Sequence, residues 1–160
     1  MMAVGPRIVF VRFQSADSPK LTPWIAHVSR VVGRTARATV PVAGDSRIVW
    51  QLVSANNREL ARSVDVYGTF ESATAGAQQV VDSSADSVIE QVSESGRGVY
   101  GWFTTVDGVP VMTCARWYVT DRDRRHSIEI ARKAIVSATL HTGARLNLPA
   151  LMGGDLGRQR

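Results

Sequence analysis

The chain has 160 residues, of which 44% are hydrophobic and 21% are charged, and its formal net charge is +5. This length suits one domain or two small units that share a core, and the composition lies in the ordinary globular range. No apolar run approaches the roughly 20 residues that a membrane helix needs, and the single cysteine, Cys114, excludes an internal disulfide and a zinc site of paired cysteines.

The N-terminal residues do not follow the pattern of a signal peptide, because Arg7 and Arg12 interrupt a short apolar stretch. With the lone cysteine, this predicts a cytoplasmic protein. The positive charge can serve nucleic-acid binding, or it can be ordinary surface charge. The charge is +6 over residues 1–62 (nine basic and three acidic residues) and +5 over residues 115–160 (nine basic and four acidic). It is −6 over residues 63–114, which have one basic and seven acidic residues. We favour the second interpretation, in which these segments neutralise one another on folding.

The first predicted element is a strand over Arg7–Phe13, where branched and aromatic residues dominate. Pro23–Val32 fits a short helix or a strand. Its residues at helical spacing are Trp24, Ile25, Val28 and Val32. We expect residues 1–34 to form an N-terminal extension that packs on the rest of the chain. The alternating segment Thr35–Val42 is the candidate first strand of the unit that follows.

A repeated pattern covers the middle of the chain. Residues 49–72 align with residues 100–123 at an offset of 51 positions. The matched pairs include Leu52 with Phe103, Ser63 with Cys114, and Tyr67 with Tyr118. The sequence of each copy predicts a β-hairpin, because two segments with the composition of strands flank a turn dipeptide whose residues tolerate positive φ. The turn dipeptides are Asn56-Asn57 and Asp107-Gly108.

A helix is predicted after each hairpin. Thr69 and Thr120 suit N-caps, since a threonine hydroxyl accepts a free amide of the first turn. Small apolar residues then recur at helical spacing. They are Ala73, Ala77, Val80 and Val81 in the first helix, and Ile128, Ala131, Ala134, Ile135 and Ala138 in the second. Between the copies, Ser87–Val92 alternates and predicts a further strand. The chain is therefore expected to be α+β, with two copies of a strand-strand-helix unit.

The first copy resembles the YegP-like proteins, a family of small uncharacterised bacterial and archaeal proteins. The resemblance rests on Leu52, Ala55, Asn56, Leu60, Ala61, Ser63 and Tyr67. Asn57 stands where the family has glycine, and the second copy, which retains Gly108, Val111 and Tyr118, is more divergent. The resemblance spans residues 35–140 and implies a fold but no activity and no catalytic residues.

The fold implied is a tandem of units of about three strands, a helix and a strand, which form one antiparallel sheet with the helices on one face. The boundaries are 1–34 for the N-terminal extension, 35–95 for the first repeat, 96–142 for the second repeat, and 143–160 for an irregular tail.

Strand alternation predicts which side chains the helices cover. We expect the covered face to include Ile48, Trp50, Leu52, Val64, Val66, Gly101, Phe103 and Trp117. The opposite face carries the candidate ligand-binding residues Tyr67, Tyr100, Trp102, Arg116 and Tyr118. Aromatic side chains beside an arginine are typical of a sheet that stacks nucleobases. The same face can instead be covered by residues 1–34, covered by a second copy of the chain, or left in water, and we favour coverage by residues 1–34.

A second candidate site is the basic cluster of Arg122, Arg124 and Arg125, which suits nucleic-acid binding or simply an exposed helix face. Enzyme motifs are absent from the sequence. A Cys114–His126 nucleophile pair is conceivable, but a small strand residue at Cys114 is the favoured interpretation. We therefore predict no catalytic residues, no metal site and no cofactor.

The sequence thus favours a non-catalytic binding or protein-interaction module. The alternatives are a weak, salt-sensitive nucleic-acid binder and an enzyme with an unrecognised site. The expected partners are another protein, a second copy of the chain or nucleic acid, and no membrane.

Overall fold

The computed structural model describes residues 5–15, 17–33, 47–141 and 146–148. The strands are β1 (Arg7–Phe13), β2 (Arg47–Val53), β3 (Glu59–Ser63), β4 (Val88–Glu94), β5 (Val99–Val106), β6 (Val109–Cys114), β7 (Thr139–Leu140) and β8 (Leu146–Leu148). The helices are α1 (Leu21–Val32), α2 (Phe70–Asp82) and α3 (Asp121–Ser137), with a short 3-10 turn at Ser84–Asp86. The prediction of a mixed α+β chain is confirmed.

All described strands belong to one sheet, in the order β4-β5-β6-β3-β2-β1-β7, and β8 also pairs with β1. Pairing is antiparallel from β4 to β1, but β7 and β8 run parallel to β1. The expectation of a wholly antiparallel sheet is therefore wrong at this edge. The physical reason is that α3 carries the chain across the sheet, with contacts from β5 to β1, before β7 joins the far edge.

The centre of the sheet is made by two hairpins, β2–β3 and β5–β6, which meet where β3 pairs with β6. Their turns use the positive-φ residues that the sequence predicts, with Asn57 at 68° in one and Asp107 and Gly108 at 53° and 79° in the other. Flanking strands extend both sides, since β1 pairs with β2 and β4 pairs with β5. The predicted strand Thr35–Val42 lies outside the described residues, and β1 is the strand beside β2.

The larger core lies where α2 and α3 cover one face of the sheet. Both predicted N-caps are confirmed, because the Thr69 hydroxyl accepts from the Ser72 amide and the Thr120 hydroxyl accepts from the Asp123 amide, each at 3.0 Å. The buried strand residues of this core include Ile8, Phe10, Trp50, Leu52, Trp102 and Met112. The small helix residues Ala73, Ala77 and Ala131 are fully buried and bring the helices close to the sheet.

The opposite face of the sheet is covered by α1. Its buried residues Leu21, Trp24 and Val28 form a second core with strand residues of the other alternation. Those strand and strand-end residues are Val11, Phe13, Val49, Val64 and Val66. The expectation of helices on one face only is therefore wrong, because the sheet has branched apolar residues on both faces and each face needs cover.

The predicted face of Trp102 is also wrong. Trp102 is buried in the larger core with Cys114, and Trp117, which packs against the same core, also lies close to Gly101 and to the His27 ring of α1. In the first hairpin, Val64 and Val66 belong to the α1 side rather than to the larger core.

The physical reason for the inverted face of β5, which carries Trp102, lies in two matching hydrogen bonds. The Trp50 amide donates to Ser63 Oγ at 3.2 Å, and the Trp102 amide donates to Cys114 Sγ at 3.4 Å. The two residues are 13 apart in the first bond and 12 apart in the second. The second hairpin is therefore one residue shorter, and a one-residue shift moves every side chain of a strand to the other face.

Candidate clefts at the hairpin turns

A cleft of about 450 Å³ opens where the β2–β3 turn meets the first turns of α3, and we call it cleft A. Its walls come from four segments that are distant in sequence. The lining residues are Ser54, Asn56 and Arg58 of the turn, Glu59 and Leu60 of β3, Arg116 and Tyr118 after β6, and Asp123, His126, Ser127 and Ile130 of α3. Cleft A is thus formed only when the two hairpins pack side by side.

Hydrogen bonds of the backbone and of one pair of side chains fix the walls of cleft A. The turn closes through the Ser54 amide, which donates to the Arg58 carbonyl at 2.9 Å, and Arg7 of β1 donates to the Asn57 side chain. On the other wall, Tyr118 and Tyr100 exchange two backbone hydrogen bonds of 2.8 Å. This bridge holds the segment between β6 and α3 against the sheet, and it presents Arg116 and Tyr118 to the same opening.

Hydroxyl groups line the inner end of cleft A. The indole nitrogen of Trp102 donates to Ser127 Oγ at 3.0 Å, and the Ser127 hydroxyl interacts in turn with the Tyr118 hydroxyl. Burial raises the pKa of Tyr118, and Ser127 partly offsets this rise. The phenol of Tyr118 is therefore a neutral hydroxyl at physiological pH and can donate a hydrogen bond.

Some charged side chains of cleft A form salt bridges and others do not. Glu59 is held by two hydrogen bonds of 3.0 Å from Arg62, which also lies over the Trp24 ring at 4.3 Å. Arg58 and Arg116 are exposed, and neither forms a salt bridge within the described part of the chain. Asp123 is the one lining carboxylate without a salt bridge to a described residue.

A second cleft of about 370 Å³, cleft B, is built in the same way from the β5–β6 turn and α2. Tyr67 lies in it as Tyr118 lies in cleft A, and it exchanges backbone hydrogen bonds of 2.7 Å with Ile48. Burial, reinforced by the Asp65 carboxylate, raises the pKa of Tyr67 to about 12. Gly76 lies beside Tyr67, with a space too small for a side chain.

The structure separates the five predicted ligand-binding residues. Arg116 and Tyr118 line cleft A, and Tyr67 lines cleft B. Trp102 is 1% exposed in the larger core, and Tyr100 lies beneath the guanidinium of Arg124. The expected aromatic stacking surface is therefore not formed, because its central residue faces α3 instead of solvent.

The basic cluster on α3 is separated as well. Arg124 is buried, and its guanidinium donates hydrogen bonds to the Val92 carbonyl, at 2.9 Å, and to the Asp121 carboxylate. The Cζ atom of the same guanidinium lies 5.1 Å from the centre of the Tyr100 ring. Arg125 is exposed and pairs with Asp121 at 3.1 Å, while Arg122 is exposed. Hydrogen bonding from Arg124 is the main cause that lowers the pKa of Asp121. Arg124 thus joins α3 to β4.

Cys114 and His126 occupy different environments. Cys114 is fully buried, and burial raises the pKa of its thiol to about 11. His126 is exposed on α3 and lines cleft A, whose lining does not include Cys114. The histidine next to Cys114 is His27 of α1, whose Nε2 lies 2.9 Å from the Cys114 carbonyl oxygen and whose pKa is lowered mainly by burial.

Sequence reasoning missed several residues of cleft A, namely Arg58, Leu60, Ser127 and Ile130. Arg58 follows a predicted turn and Ser127 lies on a predicted helix, so each could be assigned to its element. No local signal shows that the turn of one hairpin meets the helix that follows the other. Among residues 5–15, 17–33 and 47–141, no cluster of three His, Cys, Asp or Glu is arranged to hold a metal ion.

The sheet and its helices form a small mixed α+β fold. Two solved structures share this fold. YegP from E. coli, a protein of unknown function, matches with a TM-score of 0.54 at 14% identity, over 95% of this chain and 99% of its own. A UPF0339 protein from Shewanella oneidensis matches with a TM-score of 0.51 at 12% identity, over 92% of this chain and 93% of its own.

No family model and no curated protein sequence matches the chain. The two structural matches support the YegP-like fold that the residues suggest. Because the sequence identities are only 14% and 12%, these matches are evidence for the fold alone. The described part of the chain contains no helix with the length and hydrophobicity to cross a membrane.

Proposed function

We propose that the chain is a non-catalytic binding module and that cleft A is its ligand site. The observation that carries this proposal is the convergence of Arg58 and Arg116 on one cleft without a salt bridge to any described residue. Like charges that share an opening repel one another, and neither guanidinium is engaged as those of Arg62 and Arg124 are. A ligand that accepts hydrogen bonds from both would offset this repulsion.

We further propose that the fold consists of two copies of a three-strand-and-helix unit, β1–β2–β3–α2 and β4–β5–β6–α3. Three features recur in both, which are the amide bond to Ser63 or Cys114, the tyrosine bridge and the threonine cap. In this view α1 is an insertion between the first two strands of the first unit. The buried free thiol of Cys114 agrees with a reducing compartment such as the cytoplasm.

The alternatives have less support. Arg124 is engaged by Val92 and Asp121, and Arg125 is paired with Asp121, which leaves Arg122 as the member of the basic cluster without a salt bridge to a described residue. This is a weak basis for a phosphate track. A nucleophile at Cys114 would need an accessible thiolate, and its thiol is buried with a raised pKa.

The proposal is tested by nuclear magnetic resonance with a library of small neutral, anionic and cationic compounds. Ligands of cleft A should shift the backbone amide signals of Asn56, Arg116 and Ser127. The corresponding signals of cleft B, from Asp107 and Gly76, should not move with them. Ligands that bind only elsewhere on the surface, or a library without any ligand for cleft A, would refute the proposed site.

A further inference from the structure

We infer that the ligand of cleft A is a small organic anion, a carboxylate or phosphate joined to an apolar group. This inference rests on the proposed function, since it specifies the ligand of the same site. Its basis is the charge, the hydroxyl groups and the apolar wall of cleft A, together with the contrast to cleft B.

The charge of cleft A favours an anion. The carboxylate of Glu59 is already neutralised by Arg62, so that Arg58 and Arg116 face Asp123 as the remaining carboxylate. Guanidinium groups form paired hydrogen bonds with carboxylates and phosphates, which neutral ligands match less well.

The hydroxyl groups add a directed donor. An indole N–H can only donate, so Ser127 Oγ is the acceptor in its 3.0 Å bond to Trp102. The Ser127 proton is then available to the Tyr118 oxygen, with which it interacts. In this order the Tyr118 hydroxyl keeps its own proton for donation, and an anionic oxygen in cleft A would accept it.

The remaining wall is apolar. Leu60 and Ile130 line cleft A together with the Tyr118 ring, and Ile130 is 38% exposed. A volume of about 450 Å³ lies within the range of small-molecule sites. An inorganic ion would leave this wall in water, whereas an aromatic or aliphatic acid would cover it.

Cleft B provides an internal contrast. The residue that follows the turn is Arg58 in cleft A and Val109 in cleft B. The residue two positions before the tyrosine is Arg116 in cleft A and Asp65 in cleft B. Asp107 contributes a second carboxylate, and the described residues that line cleft B include no basic side chain. Cleft A thus has two guanidinium groups where cleft B has a valine and a carboxylate, and an anion should discriminate between the two clefts.

The test compares four probes of similar size by amide signal titration, which are benzoate, phenyl phosphate, neutral benzamide and cationic benzylamine. We expect both anions to shift the signals of Arg116 and Ser127 and to bind about tenfold more tightly than benzamide or benzylamine. Inorganic phosphate should bind more weakly than phenyl phosphate. The ratio between benzoate and phenyl phosphate identifies which anionic group is preferred.

Matched variants link affinity to the two arginines. Arg58→Gln and Arg116→Gln should each weaken anion binding about tenfold, and Arg122→Gln, an equal loss of charge on α3 outside cleft A, should leave it within twofold. Equal affinity for benzamide or benzylamine in cleft A would overturn the anion inference while the binding module stands. Failure of all four probes to bind there would overturn both.

Discussion

Gly76 of α2 lies where Tyr67 leaves no room for a side chain. A Cβ atom at this position would overlap with the Tyr67 hydroxyl oxygen and would lie 2.7 Å from Cζ of the ring. We expect Gly76→Ala to destabilise the protein by about 1–2 kcal/mol, because the steric cost exceeds the gain of about 1 kcal/mol that alanine brings to a helix. Urea unfolding measures the difference.

The control for this prediction is the same change in a Tyr67→Ala background. With the ring removed, Gly76→Ala should become stabilising, because the helix preference of alanine then acts alone. Gly76→Ala that is stabilising in the presence of Tyr67 would contradict the close contact.

Cys114 should be unreactive in the folded protein. Its pKa of about 11 leaves a thiolate fraction of about one in a thousand at pH 8, and the side chain is fully buried. We expect no reaction with a disulfide reagent in native buffer and complete reaction in urea. A Ser95→Cys variant, with its thiol in an exposed turn, should react at once. Rapid native reaction at Cys114 would revive the nucleophile hypothesis.

The same pKa has a consequence for stability. The thiol ionises near pH 9 when unfolded and near pH 11 when folded, so the folded state holds its proton more tightly between these values. The Cys114 contribution to the free energy of unfolding is therefore complete below pH 9 and is lost as pH rises towards 11. Cys114→Ser, which reproduces the Ser63 arrangement of the other hairpin, should remove this component of the pH dependence.

At the scale of elements, the first turn of α3 depends on the cap at Thr120. Its hydroxyl accepts from the Asp123 amide at 3.0 Å, as Thr69 does from Ser72 in α2. Thr120→Ala should lower the free energy of unfolding by about 1 kcal/mol, and Thr120→Ser should restore most of the loss. Chemical denaturation of the three proteins tests this, and equal stability of all three would show that the cap does not hold the helix.

At the scale of the whole molecule, the two hairpins should unfold together. Their shared β3–β6 pairing joins Ala61 to Cys114 and Ser63 to Met112, and one core lies under both α2 and α3. We expect one cooperative transition, with coincident fluorescence and circular dichroism curves. Gly76→Ala in α2 and Thr120→Ala in α3 should both shift this single transition, whereas two separate transitions would mean that each unit is an independent domain.

Local features of this fold were predictable because their causes lie within a few residues. Asn57, Asp107 and Gly108 adopt the positive φ that their turns need. The small residues of α2 and α3 recur at 3.6-residue spacing because one side of each helix faces the sheet. The spacing of Trp24 and Val28 likewise fits the helix that the structure has at Leu21–Val32.

The faces of the strands were less predictable, since a sequence alignment at a fixed offset assumes hairpins of equal length. The pairs Trp50–Trp102 and Ser63–Cys114 have offsets of 52 and 51 (102 − 50 and 114 − 63). Because of this difference of one residue, Trp102 was predicted on the candidate ligand-binding face, whereas it lies in the larger core. The hydrogen-bond partners of the two amides reveal the shift, and so do the bridges Ile48–Tyr67 and Tyr100–Tyr118.

The sequence by itself determined the hairpins, the helix caps and the α+β class, because hydrogen bonding and sterics act within short segments. Only the tertiary structure decided that α1 covers the face of the sheet opposite to α2 and α3, and that the buried Arg124 joins α3 to β4 by a hydrogen bond. It also decided that Arg58 and Arg116 line one cleft. Those features depend on contacts between residues tens of positions apart, such as the 58 residues from Arg58 to Arg116. They exist only once the sheet has brought the two hairpins side by side.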